Sequence, residues 1–238
     1  MADVVICSSP EQANFLRTMN ANVHPILDWH GELPLLASRE GWQEPEGLSI
    51  FWEGQSATLK HLLDLAGPLK RVSRLMPLQL NVVTDPRVPI IGPRTVGPSS
   101  ARLLDKAFSG SNVKVAFHRW TPRNVEAVSQ ACDLAILPIS SKESFARAKP
   151  ENRLLIAWRL GLPCLTSDTP AYSRAMTDAQ VEGVCRDAEE WESVLLDYSR
   201  NGEIREANVI AGQTYLACKH SDMQLLARWD AALMPLFN

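Results

Sequence analysis

The sequence predicts an α/β fold, a doubly wound and mostly parallel sheet with a helical C-terminus, and three observations carry that prediction. Short apolar runs alternate with segments of helical period across residues 48–185, the order that builds a parallel sheet covered by helices on both faces. Strand-like runs end in Pro, Ser, Thr or Asp just ahead of a helical segment, so strand ends and helix N-termini converge on one edge. Two helices with no strand between them, about residues 203–219 and 222–236, close the chain.

Composition sets the outer limits. At 238 residues and 45% apolar content the chain suits one large or two small domains around an ordinary core. A net charge of −3, with no block of like charge, argues against nucleic-acid and membrane-surface partners. Cys7, Cys132, Cys164, Cys185 and Cys218 are widely spaced, without a Cys-x-x-Cys pair or a zinc-like cluster, which fits a reducing, cytoplasmic compartment. The N-terminus lacks a basic stretch followed by an apolar core, and no segment approaches the roughly 18 apolar residues of a membrane span. Neither a signal peptide nor a spanning helix is expected.

Residues 3–7 read as an apolar strand. Ser9 caps the helix that follows, Pro10 takes its first position and Gln12 is placed to close a capping box. Residues 22–27 read as a second strand, and residues 31–47, rich in Pro, Gly and Glu, as a linker that Trp42 packs down. Residues 48–52 are a strand, Glu53-Gly54-Gln55-Ser56 a turn, and a helix starts near Thr58 with Leu62, Leu63, Leu65, Leu69 and Val72 on period and a break near Gly67-Pro68. Residues 78–83 form the next strand. From residue 84 to 100, Pro86, Pro89, Gly92, Pro93, Gly97 and Pro98 exclude regular structure, leaving a loop edge around Ile90 and Ile91. A helix over 99–108 and a strand over 113–117 lead to a loop, His118-Arg119-Trp120, with Thr121 and Pro122 set to start another helix. His118 reads as a structural, hydrogen-bonding histidine. Farther on, residues 183–185 are a short strand and residues 189–198 a helix with Trp191, Val194 and Leu195 inward. The last helix carries Leu225, Leu226, Trp229 and Leu233 at helical spacing, a stripe expected to pack on residues 1–30 or on a second chain.

The most informative stretch is residues 133–172. The apolar run 134–137, closed by Pro138, reads as a buried strand ending in a polar loop. Pro150 and Glu151 open a helix carrying Leu154, Leu155, Trp158 and Leu160, which Gly161 and Pro163 stop. Cys164 and Leu165 begin another strand, and Ser167, Asp168 and Thr169 precede Pro170 at the next helix start. In an open parallel sheet, ligands bind where such strand ends and helix N-termini meet.

Here the residues resemble a family. ACDLAILPISSKESF followed by KPENRLLIAWRLGLPCLTSDTPAY is similar to the donor-binding, C-terminal half of the GT-B glycosyltransferases, in the large group-1-like set that includes sucrose synthases and bacterial surface-glycan enzymes. The resemblance implies a Rossmann-like nucleotide-sugar-binding domain over residues 47–238. MADVVICSSPEQANFL resembles the end of the acceptor-binding half, so residues 1–46 are expected to be a remnant of that domain plus a linker, its remainder absent. The resemblance further implies Glu143, in its Glu-x-Phe setting with Phe145, as the catalytic carboxylate toward the sugar. Gly54, Lys60, Lys149 and Arg153 are implied at the donor phosphates, and Trp120, Asn152 and Glu151 in contact with nucleotide or sugar. Lys149 to Arg153 resembles the family's Lys-x-x-Asn-Lys run.

Alternatives stand beside several of these. Lys60 also reads as a solvated helix residue and Trp120 as an aromatic packed on the neighbouring helix. The sequence departs from the family at two places: Gln55 stands where it has Arg, and Ile156, counting back from Gly161 and Pro163, stands where it has a second Glu. Glu151 lies out of that register and reads as a helix N-terminal carboxylate, worth roughly 0.3–1 kcal/mol against the helix dipole. The implied function is binding a nucleotide sugar for hexosyl transfer with retention, without metal or other cofactor, in a homodimer or with a partner chain supplying the missing half. The alternative is a degenerate, non-enzymatic domain that acts as a protein-interaction module. A hydrolase is disfavoured, since no Gly-x-Ser-x-Gly elbow occurs.

Overall fold

A computed structural model describes residues 2–38, 47–89, 97–140 and 147–237. Trp42, the Ile90-Ile91 edge, and Glu143 with Phe145 lie outside the described residues.

Strand β1 (Val5–Cys7) and strand β2 (Val23–Pro25) form a two-stranded parallel sheet joined by helix α1 (Pro10–Leu16). Ser9 caps α1 by accepting from Gln12 N, and Pro10 fills the first position, where no intrahelical partner is lost. The Gln12 side chain reaches one residue past a capping box and accepts from Ser8 N and Ser8 Oγ, both at 3.1 Å.

The main sheet comprises β3 (Leu48–Glu53), β4 (Leu78–Thr84), β5 (Val113–Arg119), β6 (Leu134–Leu137), β7 (Cys164–Ser167) and β8 (Val184–Cys185), in the order β5-β4-β3-β6-β7-β8 with every neighbour parallel. The chain winds outward from β3 to β5, then crosses back to lay β6 on the other side of β3. That reversal is a topological switch point, where open α/β sheets bind ligands. Helices α2 (Leu59–Asp64), α3 (Ala66–Val72), α4 (Ser100–Phe108), α5 (Pro122–Ser129), α6 (Asn152–Arg159), α7 (Pro170–Asp178) and α8 (Ala188–Arg200) alternate with the strands, and α9 (Gly202–Lys219) and α10 (Asp222–Leu233) close the chain.

The central strands β6 and β7 are buried at every residue, which is why the sheet is most apolar there. Along β3, Ile50 and Trp52 enter one core cluster with Leu80, Val82, Leu134 and Ile136, while Phe51 enters the other with Val83, Ala135, Leu154 and Trp158. Asn208 of α9 ties that helix to the second cluster. Its Oδ1 accepts from Trp158 Nε1 at 3.0 Å and from Cys164 N at 3.1 Å, and its amide donates to the Tyr198 hydroxyl at 2.9 Å.

Three local expectations need correction, and a fourth, the packed linker, holds over residues 31–38. Strand β5 runs on to Arg119, because the pairs Val83 with His118 and Thr84 with Arg119 extend the ladder. His118 is therefore a strand residue, and its Nε2 is buried with no hydrogen-bond partner among the described residues. The helical break falls at Leu65; Gly67 and Pro68 sit in the first turn of α3, where an absent N–H costs no helical bond. The linker is packed over residues 31–38: Leu33 is buried, Leu36 N donates to Arg159 O, and Gln213 Nε2 donates to Leu36 O. The stripe on α10 meets residues 1–30 only in part. Trp29 Nε1 donates to Asp222 Oδ1 at 2.9 Å, yet Leu226 and Trp229 remain 64% and 38% exposed.

Candidate functional site

The carboxyl edge of the sheet gathers the chemistry. Strand β3 ends in Glu53 and Gly54, and Thr84 Oγ1, at the end of β4, donates to Gly54 O at 2.6 Å. Arg153, in the first turn of α6, crosses from the β6 side to lie over Gly54. Its Nη1 donates to Glu53 O at 3.4 Å, and a Cβ on Gly54 would come within 3.2 Å of that nitrogen. Glycine is what lets the guanidinium and the strand end approach so closely. The start of α6, with its positive dipole end, thus sits at the switch point between β3 and β6.

A cleft of about 620 Å³ opens beside this point, at the ends of β3, β4 and β5, lined among others by Glu53, Ser56, Asp85, Arg87 and Trp120. Trp120 is 43% exposed and its Nε1 donates to Glu53 Oε1 at 2.7 Å, so its ring is held at the cleft. Burial pushes the Glu53 carboxyl up, against Arg153 and the Trp120 hydrogen bond, which favour its charged form; nearby Asp85 adds to the rise. Asp85 Oδ2 accepts from Ser56 N at 3.3 Å. A second cleft of about 540 Å³ lies beyond β6, β7 and β8, where His61, Ser140, Ser167, Asp168 and Arg186 face it. Its wall is fixed by Ser140 N donating to His61 Nδ1 at 3.2 Å and Ile139 N donating to Ser167 Oγ at 2.9 Å. The switch point stands between one cleft with an aromatic wall and one that is predominantly polar.

The structure thus joins Gly54, Arg153 and, through Glu53, Trp120, and it separates others. Glu151 is 3% exposed, and its carboxylate pairs with Arg174 of α7 at 3.2 Å; Arg174 also pairs with Glu11 of α1. That triad pairs its charge within the protein, while burial still pushes the carboxyl up. Asn152 donates to Asp28 Oδ2, clamping the segment after β2 instead of lining either cleft. Lys60 is exposed on α2, and Lys149 is half-buried in the loop before α6. Neither lines the two clefts. The loop of Lys149 is tied to the N-terminal unit, since Ala148 O accepts from Ser9 Oγ at 2.8 Å and from Gln12 Nε2 at 3.2 Å. Gln55 is exposed at the first cleft. Ile156 follows Asn152 by one turn and packs, partly buried, against the core.

Sequence reasoning passed over Glu53, Asp85 and Arg87. Their one signal is position: Glu53 ends its strand and Asp85 directly follows the next, which puts both on the ligand-binding edge. Among the described residues no group of three or more His, Cys, Asp or Glu is placed to hold a metal ion, and no helix is long and apolar enough to cross a membrane.

No family model and no curated protein matches the sequence. Solved structures do. Sucrose-phosphate synthase from Thermosynechococcus elongatus is 14% identical, with a TM-score of 0.71 over 100% of this chain and 59% of that one. S. aureus TarM, in a complex with fondaparinux, α-GlcNAc-glycerol and UDP, is 11% identical with a TM-score of 0.68 over 96% and 43%. WaaG, a glycosyltransferase involved in lipopolysaccharide biosynthesis, is 17% identical with a TM-score of 0.62 over 95% and 61%. The chain thus spans 43% to 61% of the length of these structures. At these identities the likeness shows the fold, which is that of the GT-B glycosyltransferases and like their C-terminal half.

Proposed function

We propose that the chain is the donor-binding half of a glycosyltransferase, holding a nucleoside diphosphate sugar across the switch point between β3 and β6 for hexosyl transfer with retention. The observation that carries this reading is Arg153 lying over Gly54 between two clefts of ligand size. The diphosphate approaches the strand end at Gly54, which carries no side chain of its own, and Arg153 meets it with charge-assisted hydrogen bonds. The N–H groups opening α6 add to that attraction. Lys149, from the loop before α6, and Lys60, from α2, are the further cations of this reading, so the diphosphate charge is met without a resident metal. The base lies toward Trp120 and the sugar toward the second cleft. Glu143, outside the described residues, remains the proposed catalytic carboxylate. In this reading the acceptor pocket lies outside residues 1–238, and these residues alone are expected to transfer no sugar and at most to hydrolyse a nucleotide sugar slowly. Four cysteines that are free and buried suit a reducing, cytoplasmic setting.

A second reading, a degenerate domain serving as an interaction module, draws on Ile156, which packs, partly buried, against the core where the resemblance puts a second Glu. Thermal melting with added diphosphates separates the two, because a ligand bound only by the folded state raises the midpoint by mass action. Stabilisation by a nucleoside diphosphate that falls about tenfold in apparent affinity in Arg153→Ala is expected for the donor half. No shift with uridine, guanosine or adenosine diphosphate at about 5 mM would leave the interaction module as the surviving reading.

A further inference from the structure

We infer that the cleft at the ends of β3, β4 and β5 is built for a guanine base, so that the donor is a guanosine diphosphate sugar. This rests on the donor-half reading above and adds to it the identity of the base.

The cleft offers a stacking face and an unusual excess of acceptors. Trp120 is anchored through its Nε1 to Glu53 Oε1 while its ring stays substantially exposed, the arrangement of an aromatic platform with its polar handle already engaged. Glu53 spends Oε1 on that bond, and its Oε2 takes nothing among the described residues. Asp85 spends Oδ2 on Ser56 N, the Ser56 hydroxyl donates to Arg87 O at 2.8 Å, and Oδ1 takes nothing among the described residues. Two carboxylates therefore line one cleft, each oriented by a donor on one oxygen, with no bond to the other among the described residues. They are close enough for Asp85 to disfavour the charged form of Glu53, a cost that N–H donors from a ligand relieve.

The common bases differ in what they bring to such a wall. Guanine carries two neighbouring donors, N1–H and the 2-amino group, matched to carboxylate oxygens. Uracil offers one N–H flanked by two carbonyl oxygens, which would face the carboxylates. Adenine and cytosine set an amino group beside an unprotonated ring nitrogen. Guanine O6 requires a donor, and Arg87 lines the same cleft, with Nη1 donating to Gly97 O at 3.2 Å and further N–H groups to spare. A base read through its Watson–Crick edge while stacked on an aromatic ring is an established mode of recognition.

Calorimetric titration of the intact chain with guanosine, inosine and uridine diphosphates tests the inference. Guanosine diphosphate is expected to bind tightest, inosine diphosphate about tenfold weaker for want of the 2-amino group, and uridine diphosphate weaker again. Glu53→Gln preserves the acceptor for Trp120 and turns the other oxygen into a donor, so it is expected to abolish the preference for guanosine over inosine diphosphate. Asp85→Asn, at an exposed position, gives a second reading if Glu53→Gln does not fold. Uridine diphosphate binding as tightly as guanosine diphosphate overturns the base assignment and leaves the donor half standing. A guanosine preference unchanged in both variants overturns the role of the carboxylates. If no diphosphate binds at all, the donor half and this inference fall together.

Discussion

Replacing Arg174 with Met is expected to cost about 3–5 kcal/mol of stability at neutral pH, because it strips the cation from a buried carboxylate. Arg174 pairs with Glu151 at 3.2 Å and with Glu11, and the side-chain exposures of the two glutamates are 3% and 21%. Without the guanidinium, Glu151 faces a like charge in a site that water barely reaches. Against a total stability of roughly 5–15 kcal/mol this is a large fraction, and it falls on the joint between α1, α6 and α7. The penalty should depend on pH. Burial already holds the Glu151 carboxyl above its ordinary value, and Arg174 opposes that rise, so its removal raises the folded-state value further. A carboxyl raised in the folded state contributes stability that is present at low pH and is lost as pH rises through that value. The penalty for Arg174→Met should therefore be smaller at about pH 5 than at about pH 7.5. Urea denaturation of both proteins at both pH values measures it, and taking the difference between them removes titrations they share. Arg174→Met combined with Glu151→Leu should recover most of the loss, since an apolar replacement leaves no orphaned charge on that side. A penalty below about 1 kcal/mol, or one equal at the two pH values, would refute the triad as the source of this rigidity.

Other expectations follow from single observations. Gly161 has φ of 72° and a Cβ there would come within 2.5 Å of Ala37 O, so Gly161→Ala should lower stability by at least about 2 kcal/mol in thermal melts. Burial lowers His220 to about 4, with Arg228 and His30 adding to the effect, and burial also lowers His30. Both groups bind protons more readily when unfolded, so stability should fall as pH drops from about 6.5 toward 4. His220 should contribute about 1–2 kcal/mol of that after solvent screening, and His220→Gln should flatten the slope. Ile156→Glu should destabilise the fold by about 1–3 kcal/mol without improving diphosphate binding, because the side chain packs on the core and lines neither cleft; a gain in affinity would contradict that placement. Phe15, Met223, Leu226 and Phe237 are exposed apolar residues, and concentration-dependent self-association in sedimentation is expected; a monomer at every concentration would count against it.

What the sequence determined by itself was whatever a few neighbouring residues decide. Ser9, Thr121 and Thr169 cap helices as read, each accepting from an N–H three residues on, because a capping bond closes within one turn. Gly161 ends α6 with a positive φ that glycine adopts freely. Strands β6 and β7 were legible because burial at every residue demands an unbroken apolar run. The sites of the side chains were not legible, because their partners lie far along the chain. Glu151 read as a helix N-terminal carboxylate, and only α7 and α1 bring Arg174 and Glu11 to it. Glu53 looked like a turn residue, but the β5 edge delivers Trp120 to its carboxylate from 67 positions away. The crossing that lays β6 against β3 brings Arg153 to the Glu53 carbonyl across 100 positions. Strand order fixes those meetings, and strand order is set by how the whole set of apolar faces is buried together, a property that no window of the sequence contains.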